Sequence, residues 1–583
     1  MSLLLPSELL ELIASYLSNQ QQYKCLFVCN NWYGPFRRSL YKDIYINTRH
    51  QFKLLLPQLN NQGSLVRTLS FRKSKNRVGV TSNELDQLGL VCPYLEVLDF
   101  DQALWNYIHT CNLDQFTYVH RLPPFTLVNS IPNRLERLDQ LSLHGAIVSD
   151  LFQQLNIMTI LKNTPLLSYL SLNSQQRKSH AIYISISEMN SIHNFCPLLK
   201  QLILLGSFKL MHAHNITQQM QVPKKSSFMS RFSLNALLAP HWIYYFAYKY
   251  PHLQQIDFEL MNDTKSIAIM PKKEIQKLFS VLLDHCPNLC KIELDSQSAK
   301  IYMTSDFFDT ADKHGLKEIK MKGLPYCLVS RQDDFFDLLV NRGRRWISGL
   351  GTEVIESDLH IRRILQPLAK IHMLTELVLC CGHPYFDCEL DLVLDHCPNL
   401  LQLTIRSAHV TLSDSNYLHH HHQQQQHSLR SLSFSTVSFS SAVFDYLAIR
   451  CDLLTKLVCY ECDQKQGNVI RMHMPQNTFE TVIINGIRMG SFDQPNSRII
   501  SITQDQKSRW YHVYHRNNTC SPKIRRLNHR KTKLAQHYYY QQQQQPLLLK
   551  KQVWQQDLSL GCISIQCKSI KHWEFIYDTT YEF

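Results

Sequence analysis

Apolar residues at the first, fourth and sixth positions of a short segment recur down this chain. The early sets are Leu95, Leu98, Phe100; Leu138, Leu141, Leu143; Leu167, Leu170, Leu172; and Leu199, Leu202, Leu204. The middle sets are Leu253, Ile256, Phe258; Leu289, Ile292, Leu294; and Leu316, Ile319, Met321. The closing sets start at Leu374, Leu400, Leu429, Leu454 and Phe479, spaced 26, 29, 25 and 25 residues apart. Val66, Leu69, Phe71 reads as an earlier copy, and Leu560, Ile563, Ile565 as a late one. The alternation at the fourth and sixth positions has the period of two expected of a strand. Longer gaps after Leu199 and Leu316 predict insertions at about 206–250 and 325–372, and a polar tract predicts another at 411–427.

The segments between these strands read as helices. Ile275, Leu278, Phe279, Leu282 and Leu283 form an amphipathic stripe, and Phe386, Leu390, Val393 and Leu394 repeat it. The helices stop alike, at Cys92-Pro93, Thr164-Pro165, Cys196-Pro197, Tyr250-Pro251, Cys286-Pro287 and Cys397-Pro398. Proline has no N–H to continue a helix and biases the preceding residue toward extended backbone. A unit of strand plus helix in 25 to 30 residues is the size of a leucine-rich repeat. Stacked units build an α/β solenoid in which each buries its apolar face on its neighbours.

Composition changes this picture little. With 583 residues, 44% of them hydrophobic, the chain suits several domains or one long array. No run of 18 apolar residues predicts a membrane span, and Glu8 and Glu11 interrupt any secretory-type opening. The 18 cysteines are therefore expected as free thiols in a reducing compartment, cytoplasmic or nuclear. Of the net charge of +14, the stretch Lys507–Lys551 supplies +11, with 11 Lys/Arg and no acidic residue. Its Trp510, Tyr511, Tyr514 and Tyr538–Tyr540 beside the cations would suit single-stranded nucleic acid. The flanking Gln541–Gln545 tract instead favours a disordered insertion, so nucleic acid is not the expected partner.

The repeats resemble the cysteine-containing leucine-rich repeats of many F-box proteins over roughly residues 65–490. They depart from that family where Gln175, Ser207, Gln297 and Ala408 replace the Asn or Cys that follows the strand. That departure predicts an irregular horseshoe. The N-terminus supplies the second resemblance. Leu5-Pro6-Ser7-Glu8-Leu9-Leu10 opens a helix with Pro6 in its first turn and an apolar stripe of Leu9, Leu10, Ile13 and Leu17. Val28-Cys29-Asn30-Asn31-Trp32 follows after a polar break, and a third helix runs toward Leu40. Leu5, Pro6, Glu8, Leu9, Leu10, Ile13, Val28, Cys29 and Trp32 match the F-box motif in type and spacing. The resemblance implies a substrate receptor of an SCF-type ubiquitin ligase. These residues, with Leu17, would dock on a Skp-type adaptor and through it on a cullin. A helical cap on the solenoid, in a scaffold with no ubiquitin link, explains the same apolar residues. The expected organisation is an F-box over 1–48, repeats over 49–490, a basic Gln-rich insertion over 491–556, and a terminal repeat with C-cap over 557–583.

No catalytic constellation, cofactor or metal site is expected. There is no phosphate loop or nucleophile elbow, and 16 glycines leave few close approaches for a phosphate. Cys459-Tyr-Glu-Cys462 needs two further ligands for a zinc site, His473 is the only nearby residue of the right type, and the pair fits the repeat register as core. His419–His422 lies in a polar tract that gives it no fixed geometry. For the protein target, strand-flanking positions nominate Asp257, Glu259, Glu293 and Asp295 as an acidic patch for a basic segment. Lys320 and Lys322 would neutralise it. Arg344-Arg345 and Arg362-Arg363 offer a rival site for a phosphorylated target.

Overall fold

A computed structural model describes residues 5–71, 80–100, 115–122, 124–125, 136–154, 157–174, 182–210, 226, 228–259 without 238–240, 272–295, 299, 303–322, 334–353, 365–382, 386–413, 426–440, 442–464, 467–489, 496–514, 523–541 and 553–576. The histidine tract and its glutamines to 425, and Arg362 and Arg363, lie outside them. The chain divides into two units, residues 1–290 with 313–315, and 291–312 with 316–583.

In the first unit, three short helices come first: α1 (Ser7–Ser15), α2 (Asn19–Cys25) and α3 (Asn30–Lys42). The strand Asp43–Ile46 leaves α3 directly and starts a three-stranded parallel sheet with Thr68–Phe71 and Val97–Asp99. Strands Gln140–His144, Tyr169–Ser174, Gln201–Leu210, Arg231–Leu237 and Gln255–Glu259 then pair in parallel order. Leu141, Leu170, Leu202, Phe232 and Ile256 stand in one register row across them. All five are buried. Parallel strands buried beneath helices give the near-continuous apolar ladder that the spacing predicts.

Two expected insertions contain repeats of their own. Met229, Phe232 and Leu234 fall at positions one, four and six, and all are buried. They divide the gap between Leu199 and Leu253 into 30 and 24 residues, and the helix His241–Lys249 completes the unit. Between Leu316 and Leu374 the strand Ile347–Glu353 pairs on both sides, with Leu350 against Leu377 and Thr352 against Leu379. A polar Thr352 at the sixth position hides this copy from an apolar pattern. A third hidden copy, Val119, Leu122, Pro124, forms isolated bridges among the described residues, Arg121 to Val97 and to Gln140 and Phe125 to Leu143. A proline at its sixth position removes one N–H from the ladder.

The second unit holds strands Lys291–Asp295, Glu318–Lys322, Ile347–Glu353, Glu376–Cys380, Gln402–Arg406, Ser431–Ser435, Lys456–Gln464 and Val469–Met489 in one parallel order. Cys562–Ile576 pairs along Val469–Met489. This corrects the register of the late copy. Ile570, Trp573 and Phe575 stand opposite Phe479, Val482 and Ile484, so they continue the array. Ile563 and Ile565 instead extend the sheet opposite Ile470 and Met472.

The missing Asn or Cys ladder has a backbone substitute. Ser407 and Thr436, each one step past a strand, and Glu461 within Lys456–Gln464 adopt φ of 50°, 54° and 48°. The Ser407 N–H donates to Ser435 O at 3.0 Å and the Thr436 N–H to Tyr460 O at 2.8 Å. Each turn is thus tied to the next, and the rows from Glu376 to Asn485 keep register without a side-chain ladder.

A side-chain ladder exists at the helix stops instead. Cys196 Sγ donates to Leu161 O and Thr164 O at 3.7 Å, and Cys286 Sγ to Tyr250 O at 3.3 Å. His427 Nε2 lies 3.0 Å from Cys397 O, and Asn477 Nδ2 donates to Cys451 O at 2.8 Å. These side chains satisfy carbonyls that the preceding helix leaves open at its C-terminus. Burial pushes the Cys92, Cys286 and Cys397 thiols up to about 12, so they stay protonated. Replacing fully buried Asn477 by Ala strands these carbonyls. It should lower stability by about 1–3 kcal/mol, read as a lower denaturant midpoint.

The basic insertion is folded where it is described. Ile499–Gln504 and Lys507–Tyr514 form an antiparallel hairpin, Lys523–Arg526 adds a third strand, and the helix His529–Gln536 follows. Asp505 and Gln506, at φ of 47° and 63°, make the two-residue turn whose twist suits a hairpin. Ile499, Trp510, Leu527, Ala535, Tyr539, Trp554, Leu558 and Cys562 close a core under it.

Candidate functional site

The N-terminal module has a small core of its own. Leu10, Ala14 and Phe36 are buried together, with Leu17, Cys25, Leu26 and Trp32 half-buried around them. Trp32 stacks on Phe36 with ring centroids 5.1 Å apart. The capping box of Ser18 and Gln21 starts α2. Buried Gln22 closes the end of α1, its Nε2 donating to Ala14 O at 2.8 Å and Leu17 O at 3.0 Å. Glu11 pairs with Arg38 across α1 and α3. Arg37 Nε donates to Gln62 Oε1 at 2.7 Å, tying α3 to the next helix.

A second apolar face remains in solvent. Leu5, Leu9, Leu12, Ile13 and Tyr16 are exposed at 44, 46, 53, 40 and 82%. Leu9, Leu12, Ile13 and Tyr16 are spaced i, i+3, i+4 and i+7, so they share one side of α1. Phe27 and Val28, beyond α2, are 72 and 60% exposed. Contiguous exposed apolar patches on this scale mark interaction sites. The motif residues therefore sort into two groups. Leu5, Pro6, Glu8, Leu9, Ile13, Val28 and Cys29 face solvent. Leu10 is a core residue, which corrects its assignment to a contact surface, and Leu17 and Trp32 pack against the core. Leu12, Tyr16 and Phe27 belong to the exposed face and escaped the sequence reading. The i, i+3, i+4 spacing around Leu9 was the signal available for the first two.

The strand face carries a different pattern. Asp257 Oδ2 accepts from Ser233 Oγ at 3.2 Å, and the Glu259 side chain lies outside the described residues. In the other unit, Glu293 and Asp295 stand opposite Lys320 and Lys322 in register, and both acids are 4% exposed. Lys291 Nζ lies 2.7 Å from Glu293 Oε1, and Lys320 Nζ lies 3.1 Å from Glu376 Oε2. Bonding to Glu376 helps hold the Lys320 ammonium above its ordinary value, against the opposing desolvation. Lys291 and Lys320 thus interleave with the acids of this row. Arg345 pairs with Asp312 at 3.3 Å. In the first unit, the weakly paired copy at Arg121 leaves a cleft of about 440 Å³, lined by Asp99, Arg121, Gln140, Ser142, Tyr169 and Lys200 among others.

Cys459 and Cys462 are buried side by side. The hydrogen bond from Cys462 and burial together raise the Cys459 thiol well above its ordinary value. Cys462 Sγ donates to Phe434 O at 3.8 Å. Among the described residues no group of three or more His, Cys, Asp or Glu is placed to hold a metal. Every cysteine among them is a free thiol, and no helix among them is long and apolar enough to cross a membrane.

The F-box-like family model matches residues 3–47. The chain carries an F-box-like domain at its N-terminus, followed by an α/β leucine-rich-repeat solenoid. Among solved structures it is similar to the TLR13–ssRNA13 complex at 12% identity and TM-score 0.35, covering 76% of this chain and 59% of that one. It is similar to the yeast Rad7 and Elc1 complex at 13% identity and TM-score 0.31, covering 71 and 91%. The leucine-rich repeat-containing protein LegL7 from Legionella pneumophila is similar at 13% identity and TM-score 0.27, covering 59 and 90%. The chain thus spans under two thirds of the TLR13 chain. No curated protein matches this chain.

Proposed function

We propose that this protein is the substrate-recognition subunit of an SCF-type ubiquitin ligase. Its F-box-like module docks on a Skp-type adaptor, and through it on a cullin, while the repeats hold a target protein. One observation carries the reading. Leu10, Ala14 and Phe36 close the module's own core, yet Leu9, Ile13, Tyr16, Phe27 and Val28 stay in solvent. A module serving only as a cap would turn its apolar residues toward the repeats. Here α3 meets that need, since the first strand leaves it and Arg37 bonds Gln62. The α1 face is left for a partner.

The role is positional. Holding a target near a conjugating enzyme raises the effective concentration of its lysines, and the covalent steps belong to other subunits. Glu293 is engaged by Lys291 at 2.7 Å, so the acidic-patch proposal centres on Asp257 and Glu259. Affinity purification of the full chain from cells in which cullin activity is blocked should recover adaptor and cullin together. Recovery of a folded chain with neither would favour the scaffold reading.

A further inference from the structure

We infer that the three-stranded basic hairpin near the C-terminus is a docking surface for an acidic, carboxylate-rich segment of a partner protein. Lys523, Arg525 and Arg526 project from a four-residue strand that pairs on one side only, with Lys507–Tyr514, among the described residues. Arg530 and Lys533 follow on one side of the next helix, and Arg509 lies two residues from Tyr511, which faces Arg526. All six cations are exposed, and none has an ion-pair partner among the described residues. The neighbouring buried acid, Asp557, is already spent on His512 at 2.6 Å and Arg498 at 3.3 Å. Six exposed like charges with no ion-pair partner among the described residues repel one another, and an acidic partner relieves that repulsion while being steered toward it.

The aromatics that would favour single-stranded nucleic acid are used elsewhere. Trp510 and Tyr539 stack inside the core, Tyr511 packs on Trp573, and Tyr514 stacks on His512. No exposed ring among them serves as a base-stacking platform. The strand also places its cations on both faces, Arg525 opposite His512 and Arg526 opposite Tyr511. A flexible carboxylate-rich segment can wrap such an edge, whereas a duplex offers its phosphates in rigid rows.

This surface deepens the receptor reading, because it would be one place where a target is held. The test is anisotropy of labelled polyglutamate titrated with the full-length chain at low and at physiological salt. Saturable, salt-weakened binding is expected, reduced at least about tenfold by Lys523→Gln/Arg525→Gln/Arg526→Gln. The variant should keep its melting temperature and its adaptor binding, which separates this claim from the ligase claim. Equal polyglutamate binding by the variant and the wild type overturns the inference. So does tighter binding of an RNA or duplex DNA oligonucleotide, or of phosphatidylserine vesicles, than of polyglutamate.

Discussion

Leu9→Asp/Ile13→Asp will lose adaptor capture while the protein stays folded. Both side chains are exposed at 46 and 40%, so aspartate there costs the free chain little. At an interface each would bury most of its remaining apolar surface, worth about 1.5–3 kcal/mol for a fully buried side chain. A buried carboxylate adds a desolvation penalty. The dissociation constant for the adaptor should rise by more than about a hundredfold. Phe36→Ala makes the contrast. Phe36 is wholly buried under Trp32, and removing its ring costs about 3–5 kcal/mol. That is a large share of what three short helices can hold. It should unfold the module locally, so adaptor binding falls together with protease resistance of residues 5–42. Calorimetric titration combined with limited proteolysis reads both. Loss of protease resistance in the Leu9/Ile13 variant would mean that these residues are structural.

Acid will weaken the first unit through one histidine. His193 is buried between the helices Ile186–Phe195 and His241–Lys249, its Nε2 2.7 Å from the Tyr250 hydroxyl. Burial, and then the neighbouring Lys249 charge, push its pKa down to about 3. Lys249 Nζ donates to Asn190 Oδ1 at 2.8 Å in the same cluster. An unfolded histidine titrates near 6.5. The depressed folded value means that the unfolded chain takes up the proton first. The contribution is therefore complete above about pH 6.5 and is lost as pH falls toward 3, at up to about 1.4 kcal/mol per unit. His193→Gln removes the titration. Denaturant midpoints at neutral and mildly acidic pH should converge in that variant relative to wild type. An unchanged pH slope would exclude His193 as the cause.

The repeats were legible wherever leucine, isoleucine or phenylalanine filled all three strand positions, because burial beneath helices demands that pattern. They were illegible where the chain departs from it for local reasons. Thr352 and Pro124 each break the third position of a copy that still pairs. Met229 begins a full copy whose strand sits in a stretch that the longer gap made look like an insertion. The hairpin at Asp505–Gln506 has no glycine to announce it, although the two residues adopt the left-handed geometry that glycine usually supplies. Its fold depends on Trp510 and Tyr539 meeting Trp554 and Leu558 from distant segments. In the N-terminal module the apolar stripe was visible, but not its division. Only α2 and α3, packed on Leu10 and Ala14, decide that Leu9 and Ile13 face outward. The cysteine stops were visible as helix breakers. Their bonds to the preceding repeat needed the stacking itself.

In the proposed receptor, the outward side of α1 and the turn after α2 form the adaptor face. Amide hydrogen exchange of the full-length chain, with and without a purified Skp-type adaptor, tests it most directly. Slowed exchange over Ser7–Ser15 and residues 23–33 is expected on adding adaptor, with the repeats unchanged. Saturating adaptor that leaves these residues unprotected, or protects only the repeats, would contradict it.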